Sequence, residues 1–184
     1  MYGVHLSGLP PSAKLFCTLF LLGIGCGAVA AFAQAVTAIG LTPGDVQASL
    51  APEMPMTHMG MGHGTASAEK EISLGDISKT ARVWMRTPLL IQTSHTHLFG
   101  QTLIAGLLGL IFLFSSVGER MKTLLVALPF VGTLVDIGGM WLTRFVWPSF
   151  GVLVVAGGSL FALGYVLITV VSLYELWLKR EALA

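Results

Sequence analysis

The sequence is short of charge. Only 10% of its 184 residues are Asp, Glu, Lys or Arg, where an ordinary soluble domain carries about 25%. The formal net charge is +1 and no basic stripe is present, which excludes the electrostatic footprint of a nucleic-acid binder. Cysteine is nearly absent as well. Cys17 and Cys26 stand nine residues apart in one apolar run and would project to opposite sides of a helix, so a disulfide between them is excluded and inert thiols are expected. No nucleophile–base constellation, phosphate-binding loop or zinc-protease motif occurs, and stand-alone catalysis is not predicted.

What is abundant is apolar surface. Hydrophobic residues make up 54% of the chain, the mean hydropathy is +0.82, and the few charges cluster. They leave four runs of about the length that crosses a bilayer: roughly 15–39, 89–116, 123–141 and 151–176. The fold class is therefore all-α, a four-helix transmembrane bundle forming a single membrane domain over 1–184, in contact with the lipid bilayer. In the first run "AFA" (Ala31–Ala33) resembles a signal-peptidase site. The run continues apolar to Ile39, which favours an uncleaved anchor.

Lys14, Arg120, Lys122, Lys179 and Arg180 fall at one set of span ends. The positive-inside rule makes that side cytoplasmic, with both termini inside and the connector of about 40–88 outside. Trp141 and Trp147 then mark the outer interface and Trp177 the inner one. Gly23 and Gly27, and Gly158 and Ala162, have small-xxx-small spacing that suits helix packing in lipid. Pro129 should bend the third span.

The connector is predicted to carry two short surface helices. "LTPGDVQASL" offers Thr42 as N-cap, Pro43 at the first position and Asp45 in the first turn. "SLGDISKTARVW" gathers Leu74, Ile77, Ala81 and Trp84 on one face suited to a membrane surface. Between them, "EMPMTHMGMGHG" holds Met54, Met56, His58, Met59, Met61 and His63. A segment this rich in Pro and Gly cannot be core. Thioethers interleaved with imidazoles suit copper, Cu(I) above all, and the bias resembles the Met/His-rich segments of bacterial extracytoplasmic copper proteins. A flexible linker with a chance composition accounts for the same residues.

The second span opens on "QTSHTHLFGQ", Gln92–Gln101. Polar on every side, this stretch should be buried against other helices or line a wet cavity. The third span carries Asp136, Met140 and Arg144 one turn apart on one face, in its outer half. An intramembrane carboxylate is costly unless paired. His97, on one face with Thr93 and Gln101, is expected to turn inward toward Asp136 and Met140. His95 is expected nearer the outer surface or another subunit.

On a regular helix the two imidazoles diverge, so haem b would take one of them plus a ligand such as Met140. Copper or zinc held by both would need an irregular backbone, with Asp136 and Met140 completing the set. Asp136 could instead orient a ligating imidazole. A structural polar cluster, with Asp136 paired to Arg144, and a proton or quinone site without metal remain alternatives.

"TSHTHLFGQTLIAGLLGLIFLFSS", a short basic loop, "PFVGTLVDIGGMWLTRF" and a Gly-rich last span together resemble a group of small four-span bacterial inner-membrane proteins. These carry a THxHLF-like motif at the start of the second span. The likeness covers most of the chain, "LTPGDVQASL" included. Members often carry a further histidine in that span. Here "GLIFLF", with Gly109, stands in its place, which tells against a bis-histidine haem. The combined expectation is a redox-linked haem- or copper-binding small subunit of a respiratory or oxidase-type membrane complex. An extracytoplasmic copper-handling protein and a structural accessory subunit are the alternatives.

Overall fold

The computed structural model describes residues 5–50 and 87–179. The Met/His segment (Met54, Met56, His58, Met59, Met61, His63) and the second predicted surface helix lie outside the described residues. Among the described residues, five α-helices follow in order: α1 (Pro11–Ala38), α2 (Pro43–Leu50), α3 (Thr87–Leu113), α4 (Glu119–Phe145) and α5 (Gly151–Trp177). Single 3-10 turns occupy Leu6–Gly8 and Pro148–Phe150, and no strand occurs among the described residues. Helices α1, α3, α4 and α5 are each long and apolar enough to cross a membrane. At 27 or 28 residues they are about 40 Å long. The charged and polar ends excluded from the apolar count stay helical. That is why α4 starts at Glu119 and runs to Phe145, beyond the 123–141 read from hydropathy.

The long helices alternate in direction. One end of the bundle carries the α3–α4 turn and the start of α1, and the other carries α2 and the α4–α5 turn. At the α3–α4 turn end, the Leu6 backbone N–H donates to Phe114 O at 2.9 Å. The ammonium of Lys122, itself buried, donates to Leu113 O at 3.2 Å and pairs with Glu119 at 3.0 Å. A cation there offsets the negative end of the α3 dipole. At the other end, Gly40 takes a φ of 96°, which L side chains rarely adopt. The chain thereby leaves α1 and enters α2 through a reciprocal capping box. The Asp45 N–H donates to Thr42 Oγ1 at 3.1 Å, while the Thr42 N–H donates back to Asp45 Oδ2 at 3.3 Å.

The main seam joins α4 to α5 and is built on glycine. A Cβ on Gly132 would lie 2.5 Å from Phe161 N, and one on Gly139 would lie 2.8 Å from Val154 N. Gly157 is pressed against the Asp136 backbone, and Gly164 against the Pro129 ring with 2.7 Å to Cδ. The heptad spacing of 132/139 and 157/164 sets one small residue into the seam every two turns, letting the backbones approach closely. This corrects the small-residue pairs read from sequence. Gly23, Gly27 and Gly158 have open space where a Cβ would sit. Apolar surroundings on all sides hide which of two adjacent glycines, Gly157 or Gly158, faces the neighbouring helix.

Two apolar clusters result. Near the α3–α4 turn, Leu21, Leu108, Phe112, Leu125 and Ile168 unite all four long helices. Toward α2, Val46, Leu50, Leu90 and Met140 pack together. Helix α2 is thus docked by one face onto the bundle. Helix α1 joins through its first half: Leu21 is buried, Tyr165 donates to Leu21 O at 3.2 Å, and Trp177 donates to Thr18 at 2.9 Å. Beyond Cys26 its side chains are exposed almost throughout, so Cys26 faces the surroundings where a buried thiol was expected.

Candidate functional site: the polar turns of α3 and the Asp136 pocket

The polar stretch of α3 is a regular helix. Its imidazoles therefore diverge, and the irregular backbone that a chelating pair would need is not formed. His95 lies about 12 Å along the helix from Thr87. Both histidines lie within the stretch that is long and apolar enough to cross a membrane. Gln92, His95, Thr96 and His97 are nevertheless exposed on the surface of the bundle. Thr96 satisfies its hydroxyl on Gln92 O at 3.0 Å. His95 packs on Phe99 with ring centroids 4.9 Å apart. The next face round, at Ser94, meets α4, where Trp141 Nε1 donates to Ser94 Oγ at 2.8 Å.

His97 occupies a particular place in this pattern. Leu90, His97 and Ile104 recur at seven-residue spacing, the period of a packed helix stripe. Leu90 is fully buried and Ile104 packs on the core, yet His97 between them is open. His97 lies one turn from Gln101 along the helix.

Asp136 is buried, with 6% exposure. The side chain of Gln101 on α3 is its polar neighbour. Gln101 lies about 21 Å along α3, near its middle. The Gln101 Oε1 atom is buried with no hydrogen-bond partner. One apolar cluster lies on each side of this pair along the bundle axis: Met140 with Leu90, Val46 and Leu50 toward α2, and Leu108 with Leu125 toward the opposite end.

The stripe Asp136, Met140 and Arg144 is divided among three tasks. Met140 is 5% exposed inside the apolar cluster that α2 completes. Arg144 donates to Leu50 O at 3.1 Å, at the C-terminal end of α2. The pairing of Asp136 with Arg144 considered from sequence does not form. The arginine reaches the negative end of a helix dipole instead.

Among the described residues, no three of His, Cys, Asp and Glu gather as a metal-binding group. Asp136 lies beside Gln101, Met140 meets aliphatic side chains, and His95 and His97 are exposed. A metal or haem at the histidines would draw its remaining ligands from elsewhere.

A further polar site escaped the sequence reading. Glu175 on α5, 4% exposed, receives Ser116 of the α3–α4 turn and pairs with Lys179 at 3.6 Å. Lys179 also contacts the Ser116 hydroxyl. The i,i+4 spacing of Glu175 and Lys179 was visible, but the 59 residues separating Glu175 from Ser116 carry no sequence signal.

The model of a family described as a transmembrane helical domain matches residues 85–183. That range contains α3, α4 and α5 whole, and with them His95, His97, Gln101, Asp136 and Glu175. No curated protein and no solved structure matches the chain.

Proposed function

The chain belongs to that family, the Aq_1264_TM transmembrane helical domain, and from that premise we propose that it is a redox-linked, metal-binding small subunit of a larger bacterial inner-membrane assembly. The observation that carries the reading is the exposure of His95 and His97 on a helix long and apolar enough to cross a membrane. Imidazoles held against lipid are costly and call for an occupant, whether a helix of a partner subunit or a bound metal. Copper is the metal favoured here. Its ligands would be one of the α3 imidazoles and groups of a partner or of the Met/His segment.

The ends of that segment support this source. Leu50 and Thr87 both lie at the α2 end of the bundle, the end of α3 that carries His95 and His97. In this reading the α2 end is extracytoplasmic and both termini are cytoplasmic, following the Lys and Arg asymmetry. Met140 supports copper over haem b, because its thioether belongs to the apolar cluster under α2 and an axial role would unpack that cluster.

Copper and iron analysis of the purified chain, taken with its visible spectrum, tests the proposal. Bound copper that falls in His95→Ala and His97→Ala, with helicity unchanged, is the expected result. A haem spectrum would transfer the site to haem b with His97 as one ligand. Metal-free protein after growth with copper and iron, with and without its membrane partners, would leave a structural accessory subunit.

A further inference from the structure

We propose that the crevice between α1 and α3 at the α3–α4 turn end is a lipid site, taking one acyl chain of an anionic phospholipid whose phosphate is met by Lys14.

The crevice has a volume of about 200 Å³ and is lined by Leu6, Leu9, Cys17, Leu110, Ile111 and Phe114. Leu6 is buried, while Leu110 and Phe114 stand half exposed and leave the crevice open at the side. Its walls are fixed. The Leu6 N–H bond to Phe114 O holds the Leu6–Gly8 turn against the end of α3, and further along Leu21 of α1 and Leu108 of α3 join one apolar cluster. No lining side chain offers a charge or a strong hydrogen bond. An apolar cavity of about 150 Å³ already stays dry and takes up a hydrocarbon. For helices long and apolar enough to cross a membrane, the hydrocarbon at hand is an acyl chain.

Charge selects the headgroup. The described Asp, Glu, Lys and Arg residues at this end are Lys14, Glu119, Arg120, Lys122, Glu175 and Lys179. Glu119 pairs with Lys122 and Glu175 with Lys179. Lys14 and Arg120 form no ion pair with a described residue, so both anions are neutralised and two cations are left over. Lys14 is the one charged residue of α1 and stands one turn before Cys17 on the same side of the helix. A lysine so placed lays its stem along apolar surface and carries its ammonium to the headgroups. Trp177, which donates to Thr18 one turn after Lys14, is a residue of the kind that sits at headgroup level.

The site is independent of the metal reading, and its test uses the two cysteines, Cys17 in the crevice and Cys26 exposed on the same helix. The full chain is placed in nanodiscs of phosphatidylcholine, with or without phosphatidylglycerol, and labelled with an apolar maleimide at fixed pH. Peptide mass spectrometry reads the ratio of Cys17 to Cys26 labelling. Phosphatidylglycerol should lower that ratio by on the order of fivefold, the preference that one lysine gives to an anionic lipid. Lys14→Gln should remove the drop. Leu110→Trp, which fills the crevice from its open side, should lower the ratio in both lipids. A ratio that phosphatidylglycerol leaves unchanged would mean ordinary boundary lipid and overturn the proposal. So would a drop that survives in Lys14→Gln, or a Leu110→Trp chain labelled like wild type.

Discussion

Glu175, in the last turn of α5, grips Ser116 in the α3–α4 turn: one carboxylate oxygen accepts the Ser116 N–H at 2.8 Å, and the other accepts its hydroxyl at 2.5 Å. A single buried side chain thus fastens the last helix to the turn between the two before it. Removing it in Glu175→Ala leaves the Ser116 N–H without this acceptor and Lys179 without its partner. The expected loss is about 2 kcal/mol, read as a lower midpoint of unfolding in mixed micelles. Glu175→Gln keeps an acceptor for the N–H and should lose less.

The seam between α4 and α5 distinguishes two adjacent glycines. Gly157→Ala forces a methyl onto the Asp136 backbone and should destabilise the protein by about 1–3 kcal/mol, as overpacking does. Gly158→Ala adds the same methyl to open space and should stay within about 0.5 kcal/mol of wild type. Equal effects in the same unfolding assay would mean that the seam is assigned to the wrong face of α5.

Helix α2 depends on its capping box. Thr42→Ala removes the hydroxyl that accepts from the Asp45 N–H and should cost about 1 kcal/mol of helix stability. Faster amide hydrogen exchange over Val46–Leu50, with α4 and α5 unchanged, is the expected readout. Because α2 covers Met140 and Leu90, Met140 should also oxidise faster in this variant.

The charge asymmetry predicts the membrane orientation. Reporter fusions after Gly62 should give an extracytoplasmic signal, and fusions near Arg120 and Lys179 a cytoplasmic one. A cytoplasmic signal at Gly62 would move His95 and His97 to the cytoplasmic half as well, since the α2 end of the bundle carries both.

The sequence by itself determined the number of long helices, their approximate limits and the start of α2. Apolar runs have a length that lipid dictates, and the Thr42-Pro43-Gly44-Asp45 cap acts within one turn. It also isolated the residues whose chemistry is out of place in a bilayer, His95, His97, Gln101 and Asp136. What only the tertiary structure decided is which way each of these side chains turns. In a soluble helix, polarity reports the buried face; here the lipid-facing side is as apolar as the core, so Gly157 and Gly158 read alike although one touches a backbone and the other touches nothing. Partners distant along the chain were equally hidden. Asp136 lies beside Gln101, Arg144 joins the end of α2, Met140 packs among aliphatic side chains, and Glu175 finds Ser116, because helix packing brings these groups together and no local periodicity encodes it.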